Sequence, residues 1–393
     1  MFWSGLWPSL LISPLLVLLS IREPWGELQI PSRSVLLVLC FVGMAIIAGA
    51  SAFAVDPSKL SVIQWVGTYV SPLLLYLGIQ TVPFDRRLVS LTWIAITVGA
   101  LIPLLSGIAA YYSEWGMPTA LELVTSRYDT ERMSGYMQAT FGNTGNTAAF
   151  LALLIPPWFS FLINRSAASG PRVLYAIALT VAFVHVLIVE SRTLFIVLFI
   201  VLTLVAYYYR VRFAAALGGL LIAAAFLLPF LELGDRPLDL TVGALEGISD
   251  DQSVSERFEA MQIGRRLMLD HLALGVGPGN SSKVHIYTSA HQYWINQGEE
   301  IGVLGLLLSV LLTAAVFWRF LSFLHTRSNA TLDDRRFAGI AGAAAYMLYG
   351  CIANMPLSLT VVNAWVGLFA VMLALADARY GDLTNVGSTA SVD

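Results

Sequence analysis

The sequence is short of charge and nearly free of cysteine. Asp, Glu, Lys and Arg make up 12% of its 393 residues, against about a quarter in soluble domains. This deficit excludes a cytosolic enzyme, and a net charge of −3 gives no reason to expect a nucleic-acid partner. Both cysteines, Cys40 and Cys351, lie in apolar runs, so neither a disulfide framework nor a zinc site is predicted.

Motifs for metal-dependent or nucleotide-driven chemistry are also missing. The chain has no Asp-x-Asp pair and no His or Cys residues at metal-ligand spacing. It has no glycine loop that ends in Lys followed by Ser or Thr. We therefore expect no metal and no cofactor.

Long apolar runs are what the sequence does contain. Its residues are 57% hydrophobic and its mean hydropathy is +0.74. A membrane-spanning helix needs about 20 mostly apolar residues. The runs predict an all-α polytopic membrane protein, residues 1–393 forming one integral membrane domain, with about eleven transmembrane helices near 2–19, 34–54, 62–79, 88–111, 147–163, 173–189, 193–209, 213–231, 301–321, 337–353 and 357–375.

The basic residues predict the orientation of these helices, because Lys and Arg in short loops stay on the cytoplasmic side. With the amino terminus outside, 13 of the 22 basic residues fall in cytoplasmic segments. Two long loops then lie outside the cytoplasm, residues 112–146 and the larger, helical loop 232–300 between helices 8 and 9. Long loops on a compact body are often functional, so the site is expected there.

The larger loop contains a predicted arginine-bearing helix. Ser253 and Glu256 have the spacing of a capping box, which predicts a helix through about Leu269. On it Arg257 and Arg265 are separated by roughly 80° around the axis, so both can address one ligand. The alternative is a solvated, ion-paired helix. After it, the segment from Gly275 to Asn280 has three glycines, and a tight turn is favoured over phosphate binding.

A second capping pattern, Ser289-Ala-His291-Gln292, predicts a helix that runs into the ninth span. His291 would then lie in the first turn, where the helix dipole disfavours an imidazolium. A neutral imidazole accepts a proton, so His291 is a candidate general base. The equally weighted alternative is a capping or interfacial histidine beside Trp294.

Two further arginines are candidates, one in a short connection between spans and one in a long loop. Arg192 follows Glu190 and Ser191 in a very short connection, where it either meets a ligand or reaches the lipid headgroups. Arg132 lies in the first long loop, and Asn146 is predicted to cap the fifth span.

Taken in order, these segments resemble the O-antigen ligase and O-antigen polymerase superfamily of bacterial inner-membrane glycosyltransferases. The resemblance rests on Glu190-Ser-Arg192, on Arg257 with the segment 268–280, and on the segment 291–302, and it covers about residues 133–308 closely. It implies an enzyme that takes a glycan from undecaprenyl diphosphate at the periplasmic face and passes it to an acceptor hydroxyl. Leu272, Met261 and Gln292 depart from the family pattern, so ligase and polymerase both stay open.

The resemblance also implies roles for single residues. Arg192 and Arg257 would hold the diphosphate, and His291 would be the catalytic base. The further residues expected to bind substrate are Arg265, Arg132, Asn280 and Glu299.

We therefore expect a metal-independent, inverting, ligase-like transferase whose acceptor is lipid A core or another surface molecule. Its partners would be the lipid-linked donor, the acceptor and membrane lipids. A repeat-unit polymerase is the nearest alternative. A solute transporter or flippase is the alternative of another class, although it would place ionisable groups near the bilayer midplane in related halves of the chain. A non-catalytic partner in polysaccharide export is a third possibility.

Overall fold

The computed structural model describes residues 34–55, 57–81, 86–111, 144–164, 169–189, 191–210, 252–281, 292–326, 331–353 and 363–377. Within these ranges the chain is helical and contains no strand, which confirms the predicted all-α class for this part of the protein. The predicted spans at 2–19 and 213–231 lie outside the described residues, so the count of eleven stays a prediction.

The helices follow the predicted spans closely. In chain order they are α1 (Val35–Ala54), α2 (Lys59–Trp65), α3 (Ser71–Thr81), α4 (Arg86–Tyr111), α5 (Thr144–Ile163), α6 (Ser169–Val189), α7 (Arg192–Tyr208), α8 (Gln252–Asp270), α9 (Tyr293–Thr326), α10 (Thr331–Ile352) and α11 (Asn363–Asp377). A π-helical turn, Val66–Val70, joins α2 to α3. Five stretches are long and apolar enough to cross a membrane: Val35–Ala54, Ser61–Gln80, Arg87–Leu105, Gly145–Ile163 and Tyr293–His325.

The pair α5 and α10 forms the centre of the bundle. Residues 146–161 of α5 and 337–347 of α10 are buried without interruption. Glycines on α10 let the backbones approach, because a Cβ at Gly342 would lie 2.4 Å from the Leu153 carbonyl oxygen. That carbonyl has no helical donor four residues on, since Pro157 lacks an N–H.

The prediction that Asn146 caps α5 is wrong. The helix begins at Thr144, two residues earlier, and the Asn146 side chain is buried inside the first turn. The burial that begins at residue 146 is a tertiary property, and a local capping pattern does not contain it.

Polar contacts gather at the two ends of the bundle. At one end Arg319 of α9 pairs with Asp377 of α11, and Gln80 of α3 donates to the Ala374 carbonyl at 2.9 Å. At the other end Ser51 of α1 donates to the Glu300 carbonyl at 3.1 Å. Helices that alternate in direction are expected to bring residues from different parts of the chain together at each end of the bundle in this way. The first end is the one assigned to the cytoplasm by the basic residues, and that assignment stays a prediction.

Candidate functional site

The turn after α8 packs against a break in α9. Gly275, Gly277 and Gly279 have φ angles of +68°, +97° and +74°, a left-handed region that favours glycine. The tight turn predicted for this segment is thus confirmed. In α9, Ile301 and Gly302 leave helical geometry, and Gly302 has φ +72°. The sequence pattern predicted a helix running into the span but did not predict this interruption.

Hydrogen bonds from the turn satisfy backbone groups at the break. Val276 N donates to the Glu299 carbonyl at 2.8 Å, and Gly277 N donates to the Glu300 carbonyl at 3.0 Å. In return, Val303 N donates to the Leu272 carbonyl at 2.9 Å. Unpaired buried backbone groups are costly, so the turn and the break stabilise each other.

Glu300 lies at the centre of this contact, with its side chain only 1% exposed. Its carboxylate accepts a hydrogen bond from Ser281 Oγ at 2.9 Å and another from the backbone of Gly279. Its carbonyl also accepts from Ser51 Oγ, so one residue joins α1, the turn and α9. The turn therefore directs donors of the kind a phosphate would use towards Glu299 and Glu300.

Asn280 and Glu299, both predicted to bind substrate, are buried in the same contact. Asn280 Nδ2 donates to Ser61 Oγ at 3.0 Å and to the Val276 carbonyl at 3.0 Å, which holds the turn against α2. The Glu299 carbonyl accepts from Val276 N. Both residues thus have structural contacts, and their roles towards substrate stay predictions.

Sequence reasoning missed a polar stripe, of which Ser61 and Gln64 contact the turn. Its members are Ser58, Ser61, Gln64 and Thr68, spaced at helical intervals along α2 and the π-helical turn. Next to it, Tyr69 Oη donates to Gln297 Oε1 of α9 at 3.2 Å. Gln64 Nε2 and Gln297 Nε2 are buried with hydrogen-bonding capacity that no described residue uses. The spacing of these polar residues inside an apolar run was the available signal.

Positions 257 and 265 of α8 have neighbours that differ in burial. Position 257 lines up with the buried Ala260 and Gly264 at intervals of three and seven residues. Arg265 instead shares a line with exposed residues and is itself exposed. The side chain of Arg257 lies outside the described part of the structure, so a joint site stays a prediction.

The predicted start of α8 is corrected by two residues, because a cap at Ser253 would make Val254 the first helical residue. The helix begins at Gln252, so Ser253 is its second helical residue and not its cap. The predicted end near Leu269 agrees with the observed end at Asp270.

Arg192 is the first residue of α7. The Ser191 side chain caps this helix by accepting from Leu194 N at 3.3 Å. The structure thus confirms α6 and α7 as separate helices, the first ending at Val189 and the second beginning at Arg192. The side chain of Arg192 is outside the described residues.

His291 and Arg132 lie outside the described residues altogether. The predicted placement of His291 in a first helical turn therefore stays a prediction, and the helix described after it, α9, begins at Tyr293. Gln292 is the capping residue, since its Oε1 accepts from Ile295 N at 2.8 Å.

Comparison with known families identifies one segment of the chain. Residues 177–310, about a third of the sequence, match the family model described as O-antigen ligase. No curated protein matches the chain. The matched segment runs from α6 through the turn and into α9, and so includes the break described above. Over residues 177–310 the match confirms the resemblance to the O-antigen ligase-like superfamily that the motifs suggested.

Proposed function

We propose that this protein transfers a glycan from undecaprenyl diphosphate to an acceptor hydroxyl at the periplasmic face of the bacterial inner membrane. The acceptor is lipid A core or another surface molecule, and the reaction inverts the anomeric centre without a metal. The observation that carries the proposal is the O-antigen ligase match. Of the candidate site residues it includes all but Arg132, namely Arg192, Arg257, Arg265, Asn280, His291 and Glu299.

Charge neutralisation on the leaving diphosphate is assigned to Arg192 and Arg257. Fixed guanidiniums bind phosphate oxygens in bidentate fashion and need little reorganisation as negative charge develops. The position of Arg192 supports this role. A cation at a helix amino terminus is disfavoured by the dipole by roughly 0.3–1 kcal/mol, so an arginine there does not serve helix stability. The same helix end attracts anions.

The contacts of the glycine turn also support the assignment of diphosphate binding to arginine side chains. Its backbone donors contact Glu299 and Glu300, so binding of the diphosphate falls to side chains and not to a glycine loop. The turn instead keeps α8, which carries Arg257, against α9, whose start follows His291. Its proposed role is to hold elements of the site together.

His291 is the proposed general base. It removes the proton from the acceptor hydroxyl while that oxygen attacks the anomeric carbon in line. The bond between the anomeric carbon and the diphosphate oxygen breaks, and the negative charge of the leaving group is met by the two arginines. One displacement of this kind inverts the configuration.

The test is transfer by the purified protein. The protein in phospholipid vesicles is incubated with undecaprenyl-diphosphate glycan, with and without lipid A core, and products are separated on gels and weighed by mass spectrometry. Glycan on lipid A core supports the ligase assignment, whereas a lengthened donor assigns the protein as a polymerase. Solute uptake into vesicles without any transfer would overturn the enzyme proposal in favour of a transporter.

Variants separate the proposed site from general effects on folding. Arg192→Ala, Arg257→Ala and His291→Ala are each expected to lower transfer by about a hundredfold or more while membrane insertion is kept. Arg87→Ala is the matched control, because Arg87 is exposed at the opposite end of the bundle. Wild-type transfer by all three site variants would exclude this assignment of the site.

A further inference from the structure

One exposed face of α8 combines apolar side chains with an arginine. Phe258, Gln262, Arg265 and Leu269 follow one another at intervals of four, three and four residues, which places them in one line along the helix. Phe258 is 61% exposed and Leu269 is 52% exposed. Leu272, in the turn that follows, is 49% exposed. We call this line of four residues the α8 stripe.

The α8 stripe leads into the exposed apolar surface of α9. Leu272 is bonded to α9 through its carbonyl, which accepts from Val303 N at 2.9 Å. Val303, Leu304 and Leu307 are exposed apolar residues on α9, a helix apolar enough to cross a membrane. In a membrane such a surface faces lipid. Leu272 therefore stands beside the point where the lipid-facing surface begins.

The carboxyl end of α8 packs against α9 close to the break, at the level where the lipid-facing surface begins. The Met268 side chain packs on Gly298 so closely that a Cβ there would lie 2.4 Å from Met268 Sδ. Gly298 precedes the break in α9 by three residues. Leu269, next to Met268, is thus close to the level at which α9 enters the apolar layer.

A positively charged residue lies one helical turn before Leu269 on α8. Arg265 precedes Leu269 by four residues, about 6 Å along a helix. It is exposed and forms no ion pair with another described residue. Arg266 lies beside the line, with Asp270 four residues after it. Glu259 is the other exposed acid on the described part of α8. An arginine above leucines is the arrangement of an interfacial helix, whose cations meet lipid phosphates.

We propose that the α8 stripe and Leu272 dock on the membrane surface beside α9. Leu269 and Leu272 enter the boundary of the acyl chains, and Arg265 binds the phosphate of an anionic lipid headgroup. This docking goes beyond the proposed function, because it requires only that α9 spans the bilayer. It holds whether or not the protein transfers a glycan.

Fluorescence quenching by lipid tests the docking without any glycan. Full-length protein with Cys40→Ala and Cys351→Ala carries a single environment-sensitive label at Leu269→Cys or at the neighbouring Asp270→Cys. The vesicles contain phosphatidylcholine and phosphatidylglycerol, with a nitroxide on the acyl chain as quencher. Quenching at position 269 is expected to exceed that at position 270 by about twofold or more, because position 270 points away from the stripe. Equal quenching, or stronger quenching at position 270, would mean that the stripe is a solvated face.

The role of Arg265 is tested by moving the nitroxide between lipids. With the label at position 269, a nitroxide on phosphatidylglycerol is expected to quench more strongly than the same nitroxide on phosphatidylcholine. The change Arg265→Gln should bring the ratio of the two close to one, whereas Arg266→Gln should change it less because Arg266 lies beside the α8 stripe and not on it. A ratio unaffected by Arg265→Gln would overturn the headgroup assignment. Each variant must elute as a single species in gel filtration.

Discussion

Asp377 is a carboxylate buried at the end of the last described helix. Its side chain is 3% exposed and that of Arg319 is 11% exposed. Two guanidinium nitrogens of Arg319 contact the two carboxylate oxygens, each at 2.6 Å. The Tyr76 hydroxyl donates to the same carboxylate, and Ser34 Oγ accepts from Arg319 at 3.2 Å. One ion pair thus joins α1, α3, α9 and α11.

Removing the arginine from this pair is expected to destabilise the protein strongly. Arg319→Met leaves Asp377 buried without its cation, and breaking a buried pair from one side costs roughly 3–5 kcal/mol. Adding Asp377→Asn should recover part of that loss, because the unpaired charge is then gone. Both effects are measured by heating the protein in detergent and recording the fraction that remains monodisperse at each temperature. Arg87→Met is the control, and a midpoint for Arg319→Met equal to that of the control would contradict the prediction.

The glycines of the turn differ in how much room surrounds them. A Cβ at Gly275 would lie 2.4 Å from the Glu299 carbonyl oxygen, which is backbone and unable to move aside. At Gly277 the nearest atom is Asn280 Nδ2 at 2.7 Å, the end of a side chain. Both residues also have positive φ angles.

Gly275→Ala is therefore expected to lower the thermal midpoint more than Gly277→Ala. Strain at a left-handed position costs roughly 1–3 kcal/mol, and the backbone overlap at Gly275 adds to it. Gly99→Ala is the matched control, because nothing lies within 4 Å of its Cβ position in α4. Equal midpoints for Gly275→Ala and Gly99→Ala would mean that the turn does not hold its observed position.

At the scale of elements, the break in α9 divides a 34-residue helix into two parts. The carbonyls at the break accept from the turn after α8, and the Glu300 carboxylate accepts from Ser281 and Gly279. The break is therefore stable only while the turn is in place. The glycine turn likewise depends on the Glu300 carboxylate, an acceptor that lies about twenty residues further along the chain.

Replacing that acceptor should loosen the turn. Glu300→Ala removes the carboxylate, and a buried donor left without its acceptor costs roughly 1–3 kcal/mol. Amide hydrogen exchange across residues 275–281 is expected to speed up by roughly tenfold or more. Glu300→Gln keeps an oxygen for Ser281 Oγ and should have the smaller effect. Exchange that is unchanged in Glu300→Ala, relative to the surface variant Asp270→Ala, would show that the carboxylate does not hold the turn.

At the scale of the whole molecule, the described helices form a bundle with two polar ends, and the proposed function needs the turn after α8 to be outside the cytoplasm. Lys59 is exposed at the end that carries the turn, and Arg87 is exposed at the other. Single cysteines at these positions, in a background without Cys40 and Cys351, report the side directly. A maleimide that does not cross membranes is expected to label Lys59→Cys in intact spheroplasts and Arg87→Cys only after lysis. The reverse pattern would invert the topology and remove the site from the periplasm.

The sequence predicted the helices of the described segments well, because hydropathy is a local property of each run. The divided pair at Glu190 and Ser191 is one success, and the glycine turn is another. The capping patterns were less reliable: Ser253 and Asn146 have cap-like spacing, yet each helix begins before them. A helix end depends on which side chains and packed neighbours are available, and the sequence pattern does not contain that information.

By itself the sequence determined that this is a helical membrane protein with O-antigen ligase motifs, since apolar run length and motif order are read along the chain. Only the tertiary structure decided that Glu300 joins α1, the glycine turn and α9, or that Ser61 holds Asn280 across 219 residues of sequence. Such contacts satisfy buried polar groups with partners from distant segments. Their energies depend on which helices pack side by side, and neither composition nor periodicity records that choice.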